Sequence, residues 1–246
     1  MSKIEDYRAI LRQMDDWDAY LLKDSGLPGP RGNIELGQAV ADEGNRRLFE
    51  RYLGYASDIA PVNSPYEFLA FCGTVGLGRL LAEGDSSVLP LLRACATDPR
   101  WRMHEGVAMA LQRLGDADMP RLLAVTSEWA GGSPLEQRAA AAALCEPRLL
   151  RQPEHARATL QILDRITTLI LGQSERRSPE FQALRQGLGY CWSVAVAALP
   201  AEGKPLMEKW LASPDKDIAW IMRENLKKNR LVRMDAAWVA RMQAAK

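Results

Sequence analysis

The feature that most constrains the fold of this chain is a recurring pair in which Ser or Asp stands directly before a proline. The pair occurs at Ser64-Pro65, Asp98-Pro99, Ser133-Pro134, Ser178-Pro179 and Ser213-Pro214. Successive pairs are 34, 35, 45 and 35 residues apart. A Ser or Asp side chain accepts hydrogen bonds from the free amides of a first helical turn, and proline fits the first helical position because its missing N–H is not needed there. Helix starts that recur at this period are typical of stacked helical repeats.

The rest of the chain also carries helix signals and almost no strand signals. The spacing of Ser2 and Glu5 predicts a capping box and a first helix over about 2–22. After the Gly- and Pro-rich stretch 25–32, which excludes regular structure, Asn33 is predicted to cap a helix to about residue 55. Further helices are predicted at 64–83, 86–97, 99–114, 118–130, 133–145, 153–172, 178–199, 202–212, 214–230 and 235–244.

Three of the predicted helices share a residue pattern. The segments 98–111 and 134–144 align at Ala108 with Ala141, Ala110 with Ala143, and Leu111 with Leu144, and the segment 217–226 shares Trp-x-Met-x-Glu with the first. Over residues 64–230 the chain resembles the HEAT-repeat class, whose helices carry such an Asp-Pro … Arg-x-x-Ala-Ala-x-Ala-Leu pattern. The resemblance implies an all-α, right-handed α-solenoid of stacked antiparallel helix pairs. Residues 64–246 would form one continuous repeat array, and residues 1–63 an N-terminal helical cap.

Composition narrows the class of protein. Hydrophobic residues make up 47% and charged residues 26%, which is typical of a soluble globular protein. The first six residues are too polar for a signal peptide, and the longest uncharged run, 186–201, is shorter than the roughly 20 residues of a membrane span. We therefore expect a cytoplasmic protein with no membrane partner. Its four cysteines form no CxxC pair and are predicted to be reduced core residues.

Few residues are suited to common catalytic chemistry. The chain has two histidines, His104 and His155, and the HExxH zinc motif fails because Ala108 stands where the second histidine would be. The glycines of segment 73–78 have the wrong order for a dinucleotide fingerprint, and their small size predicts close helix packing instead. No phosphate-binding loop is present. The sequence predicts no metal site and no cofactor, and it makes an enzymatic function the less favoured one.

The pair with most chemical content is Trp101 with Glu105, which lie four residues apart and so share a helix face; Trp220 and Glu224 repeat the arrangement. The favoured interpretation places both tryptophans, mostly buried, in the seams between neighbouring helices. The alternative is a second resemblance, to the HEAT-like DNA glycosylases of the alkylation-repair class, which line a concave DNA-binding face with tryptophans and one carboxylate. It implies Trp101 and Trp220 as aromatic walls and Glu105 as the catalytic carboxylate.

Charge is distributed unevenly along the chain. Residues 1–92 carry a net charge of −5 and residues 93–246 a net charge of +6, which add to +1 for the chain. A basic cluster near the C-terminus contains Arg223, Lys227, Lys228, Arg230 and Arg233, with Trp220 and Trp238 nearby. The hypothesis is that the first three of these cations form an exposed surface for a polyanion; the alternative is an ordinary solvated helix face.

Taken together, these patterns predict a non-enzymatic HEAT-like scaffold that binds a protein or peptide partner through its concave surface. The alternative is a DNA-binding protein of the HEAT-like alkylation-repair class. The candidate binding residues are Trp101, Arg102, Trp220, Arg223, Lys227 and Lys228. Glu105 is a candidate catalytic residue under the alternative alone.

Overall fold

A computed structural model describes residues 2–244, and every regular element within that range is helical. It contains fourteen α-helices and two short 3-10 helices, with no β-strand among the described residues. The predicted all-α class is therefore confirmed. The chain forms two compact units, unit 1 up to Ala117 and unit 2 from Asp118 onward. Helices before residue 64 pack on the helix that follows it.

Unit 1 is built around one central helix. Its helices are α1 (Lys3–Leu11), α2 (Asp18–Asp24), α3 (Ile34–Glu43), α4 (Arg46–Leu53), α5 (Pro65–Ala82), α6 (Leu89–Ala96) and α7 (Trp101–Ala117), with a 3-10 helix at Ser86–Val88. Helices α2, α3, α4, α6 and α7 all contact α5. Since α5 is apolar on nearly all sides, burial by several neighbours is what its composition predicts.

The glycines of α5 allow this close packing. A Cβ added to Gly73 would lie 2.7 Å from the carbonyl oxygen of Phe49, and one added to Gly76 would lie 2.3 Å from the ring of Phe49 on α4. On the side of α7, a Cβ at Gly78 would lie 2.4 Å from the Cα of Ala110. These distances are shorter than any van der Waals contact, so the packing interpretation of segment 73–78 is confirmed.

Ion pairs from two arginines, one in α1 and one directly after it, connect this helix to α3. The carboxylate of Glu43 accepts hydrogen bonds from the Arg12 guanidinium and from the Arg8 guanidinium, each at 2.6 Å. These bonds, with that from Arg12 the stronger influence, lower the pKa of Glu43 to about 2 because they stabilise its ionised form.

In unit 2 alternate helices contact one another. The helices are α8 (Met119–Trp129), α9 (Pro134–Leu144), α10 (Pro153–Ile170), α11 (Pro179–Ala198), α12 (Pro200–Leu211), α13 (Lys216–Leu226) and α14 (Asn229–Ala244), with a 3-10 helix at Pro147–Leu150. Helices α9, α11 and α13 form one row of neighbours, and α8, α10, α12 and α14 form a second row. Each helix of the second row also contacts the first.

Three of the five predicted cap–proline pairs begin helices as expected. The hydroxyl oxygens of Ser64, Ser133 and Ser178 each accept a hydrogen bond from an amide of the first turn, at 3.2–3.4 Å, and proline follows as the first helical residue. At Ser133 the capping box is complete, because the side chain of Glu136 bonds back to the amide of the cap residue. At Ser64 it is not, because Glu67 bonds to the amide of Asn63 instead.

At the other two pairs the helix begins three residues after the Ser or Asp, two residues later than the predicted starts at 99 and 214. The carboxylate of Asp98 is occupied by the backbone amide and the guanidinium of Arg100, at 2.8 and 2.7 Å, so α7 begins beyond it. After Ser213 the cap is Asp215, whose carboxylate accepts hydrogen bonds from two amides of α13.

Two predicted long helices are each divided in the structure, so their continuity was wrong. The helix predicted over 2–22 breaks after α1, where the indole N–H of Trp17 donates to the carbonyl of Leu11 at 2.9 Å. The helix predicted from Asn33 to residue 55 breaks at residues 44–45, and Asn45 caps α4.

The cysteines behave as core residues. All four are free thiols; Cys72, Cys145 and Cys191 are buried and Cys95 is half-buried. Burial raises the pKa of the Cys72 thiol well above its usual value and that of Cys95 to about 11, so both stay protonated at neutral pH. No helix within residues 2–244 combines the length and the hydrophobicity that a membrane span requires.

Candidate functional site

Trp101, the first residue of α7, is exposed over 47% of its surface. The prediction that it is mostly buried in a helix seam is therefore wrong. Glu105, one turn later on the same helix, is also exposed, and both line a pocket of about 110 Å³ in unit 1. The other lining residues are Arg31, Gly32, Ile34, Phe68, Phe71, Arg102 and Met109. We call this the Trp101 pocket.

A buried charge pair supports the wall of the Trp101 pocket. The guanidinium of Arg102 forms an ion pair with Glu67 at 3.0 Å, and both side chains are buried. Arg102 also donates to the carbonyl of Gly29 at 2.8 Å and to the side chain of Asn63 at 3.3 Å. The backbone of Asn63 is left-handed, with φ of 67°, and its amide donates to Glu67 at 2.7 Å. The irregular segment 25–32 is thus attached to α7.

This network leaves polar atoms without hydrogen bonds. The Nε–H of Arg102 and the Oε1 of Glu67 are buried, and neither has a hydrogen-bond partner among the described residues. The guanidinium carbon of Arg102 also lies 4.6 Å from the ring centroid of Trp101, so it covers part of the indole. A buried donor without an acceptor is unfavourable, so the wall of this pocket contains a polar group whose burial is not compensated.

The sequence identified Trp101, Arg102 and Glu105 but could not place the loop that completes their pocket. Arg31 and Gly32 belong to segment 25–32, for which the sequence predicted only irregular structure. Arg31, exposed at the pocket, pairs with Glu35 at 3.1 Å, so its charge is locally balanced. A Gly- and Pro-rich composition shows that a loop is present and not which helix it contacts.

The two histidines lie elsewhere. His104 is buried, with its Nε2 atom 2.6 Å from the carbonyl oxygen of Asp98, and it does not line the Trp101 pocket. His155, in unit 2, is half-buried, and its Nδ1 atom is 3.3 Å from the carbonyl oxygen of Leu149. Each imidazole ring therefore has a nitrogen within hydrogen-bonding distance of a main-chain carbonyl oxygen.

Trp220 differs from Trp101 in its surroundings. It is half-buried on α13, and the guanidinium of Arg185 lies 3.7 Å from its ring centroid. Its ring also lies so close to Gly189 on α11 that a Cβ there would be 3.2 Å away. Glu224 is bound by Lys227. The seam interpretation therefore describes Trp220 but not Trp101, and the two Trp–Glu pairs are not structurally equivalent.

The basic cluster separates into two groups. Arg223 and Lys227 are exposed, and both line a pocket of about 560 Å³. Lys228 and Arg230 are half-buried and lie 5.9 and 4.7 Å from the ring centroid of Tyr190, at distances typical of cation–π pairs.

The larger pocket, which we call the Arg223 pocket, lies within unit 2. It is lined by Glu208, Leu211, Ala212, Arg223, Leu226, Lys227, Met242 and Gln243. Trp238, near the basic cluster in sequence, is buried, and its indole N–H donates to Glu208 at 2.6 Å. That bond holds the carboxylate of Glu208 on the wall of the pocket.

Within the described part of the chain no three His, Cys, Asp or Glu side chains are placed to hold a metal ion. Comparison with known proteins found no matching family model, no matching curated protein and no matching solved structure. Function is therefore argued from the geometry of the two pockets.

Proposed function

We propose that this chain is a non-enzymatic scaffold of HEAT-like helical repeats that binds a protein or peptide partner, with Trp101 as a central contact. The observation that carries the proposal is the half-exposed indole of Trp101 at an apolar pocket. Exposed tryptophans beside pockets are among the residues that contribute most to protein–protein binding energy.

The packing order of the helices supports the repeat architecture. In unit 1 each of α1, α3, α5 and α7 contacts the next, and in unit 2 α9, α11 and α13 do the same. Stacked helix pairs produce such rows, since each repeat contacts only its neighbours. A right-handed solenoid of antiparallel pairs is the arrangement we propose for both rows.

The size and chemistry of the Trp101 pocket favour a peptide. An apolar cavity of about 150 Å³ holds a benzene molecule, so a pocket of about 110 Å³ suits one apolar side chain. The accessible surface of the pocket is mostly apolar, which suits such a side chain. Unit 1 carries a net charge of −4, which disfavours a polyanion at this surface.

A peptide selection tests the proposal. A random peptide library displayed on phage is selected on the parent protein and, separately, on Trp101→Ala. We expect peptides that share one apolar residue and bind the parent at least tenfold more tightly than Trp101→Ala. Leu91→Ala is the matched control, since Leu91 is 40% exposed and does not line the pocket. The proposal is contradicted if no selected peptide loses affinity in Trp101→Ala. It is also contradicted if the peptides lose as much affinity in Leu91→Ala.

A DNA-binding protein of the HEAT-like alkylation-repair class is the second candidate. It is favoured by the position of Trp101 and Glu105 in one pocket and by the net charge of +5 on unit 2. Duplex binding is measured at 50 and 200 mM salt, and release of alkylated bases from a methylated duplex is measured in parallel. This candidate requires binding that falls steeply with salt and base release that is lost in Glu105→Gln. Salt-independent weak binding without base release rejects it.

A further inference from the structure

We propose that the Arg223 pocket binds a small amphipathic monocarboxylate, a ligand with one carboxylate on an apolar body. The site lies in unit 2 and shares no residue with the Trp101 pocket, so it goes beyond the proposed scaffold function. Three features of the pocket support this ligand: a cation without an ion-pair partner, a carboxylate that limits how much negative charge a ligand can carry, and apolar side chains.

The cation is Arg223. It lies four residues before Lys227 in the last turn of α13, so both side chains project from one helix face. The ammonium of Lys227 is bound by Glu224. Arg223 is exposed and forms no ion pair with any described residue, so its charge is available to a ligand. A guanidinium offers several donors in a planar fork that matches the two oxygens of a carboxylate.

The carboxylate that limits the negative charge of a ligand is that of Glu208. Its carboxylate lines the same pocket and is held there by the indole of Trp238. Of the three charged residues that line the pocket, Lys227 is already paired with Glu224, which leaves Arg223 and Glu208 as the charges that face a ligand. The C-terminal ends of α12 and α13, whose free carbonyls carry partial negative charge, also border the pocket. A single carboxylate can pair with Arg223, and we expect each further negative charge on a ligand to be disfavoured by Glu208 and by these helix ends.

Half of the residues that line the pocket are apolar. Leu211, Ala212, Leu226 and Met242 line the pocket, and together they come from three different helices. The volume of about 560 Å³ falls within the range of about 300–1,000 Å³ that is typical of small-molecule sites. An apolar body attached to the carboxylate would be buried against these side chains. Each additional buried CH₂ group is worth about a fourfold gain in affinity.

The test titrates the full-length protein with butyrate, hexanoate and octanoate, and follows the methyl groups of methionine by NMR. The signal of Met242 is assigned by its loss in Met242→Leu. We expect affinity to rise about tenfold or more with each lengthening of the probe by two carbons. Octanamide, which has the same body without the charge, should bind at least tenfold more weakly than octanoate. Arg223→Gln should bind octanoate no better than octanamide.

Arg233→Gln is the matched control, because Arg233 is an exposed arginine of the same unit that does not line the pocket. It should bind octanoate as the parent does. Equal melting temperatures of both variants and the parent establish that folding is unaffected, as expected for arginines without ion pairs. Equal binding of octanoate and octanamide, or equal losses in Arg223→Gln and Arg233→Gln, would overturn the proposal. Tighter binding of octylphosphonate at pH 8, or displacement of octanoate by duplex DNA, would also overturn it in favour of a polyanion site.

Discussion

Replacing Arg102 by Met should destabilise the protein by about 3–5 kcal/mol. Arg102 and Glu67 form an ion pair at 3.0 Å, with Glu67 fully buried and Arg102 exposed by 6%. Removing one partner of a buried pair leaves a buried charge without compensation, which is far more unfavourable than losing an exposed pair. Methionine is chosen because it keeps an unbranched apolar chain against the surrounding residues.

Arg102→Met removes several interactions at once. Besides the ion pair, Arg102→Met removes hydrogen bonds to the carbonyl of Gly29 and to Asn63, and each is worth about 1 kcal/mol. Glu67 keeps one bond, from the amide of Asn63 at 2.7 Å, which limits the loss. In the double variant with Glu67→Gln the buried charge is absent. We therefore expect the double variant to be more stable than Arg102→Met alone by about 1–3 kcal/mol.

The assay is urea unfolding followed in parallel by far-UV circular dichroism and by tryptophan fluorescence. Arg31→Met is the matched control: its ion pair with Glu35 is exposed and spans one helical turn, so the expected loss is about 0.5 kcal/mol. A loss below about 1 kcal/mol in Arg102→Met, or a double variant less stable than the single one, would refute the reasoning that the buried charge dominates.

Three further changes test separate parts of the structure. Trp101→Ala should lower the free energy of unfolding by about 2 kcal/mol, because roughly half of the ring is already exposed; a loss of 3–5 kcal/mol in urea unfolding would indicate a buried seam residue instead. Gly78→Ala should destabilise by about 1–3 kcal/mol, because the new Cβ meets the backbone of Ala110. Gly187→Ala is its control and should be neutral or stabilising by up to about 1 kcal/mol, because its Cβ meets only an arginine side chain. Glu43, whose pKa is lowered to about 2 by its arginine partners, should stabilise the fold above pH 4.5 and lose that contribution as the pH falls towards 2. The urea midpoint of the parent should therefore fall more steeply over this range than that of Glu43→Gln, and parallel profiles would contradict the assignment.

Local patterns were enough to predict much of the helical framework. A cap acts on amides two or three residues away, so Ser64, Ser133 and Ser178 could be identified without knowing what their helices contact. The glycines of segment 73–78 likewise indicated close packing of α5 on its neighbours. Where a longer interaction intervened, as when Trp17 bonded to the end of α1, the local pattern predicted one helix and the structure has two.

The exposure of the two tryptophans was decided by tertiary structure alone. Helical spacing places Trp101 with Glu105, and Trp220 with Glu224, on one face in either case, so the sequence pattern of the pairs is the same. The two tryptophans differ in the residue that covers the indole ring. Trp220 lies under Arg185, which comes from another helix 35 residues earlier in the chain.

The Trp101 pocket likewise depends on residues far apart in sequence. Arg102 bonds to Gly29 across 73 residues and to Glu67 across 35. The local sequence does not specify which loop contacts which helix, because that contact depends on the simultaneous packing of many side chains from distant parts of the chain. The sequence alone therefore established the all-α class and most of the helix starts. Tertiary packing decided which aromatic ring and which arginine remain accessible to a ligand, because accessibility depends on distant neighbours rather than on local spacing.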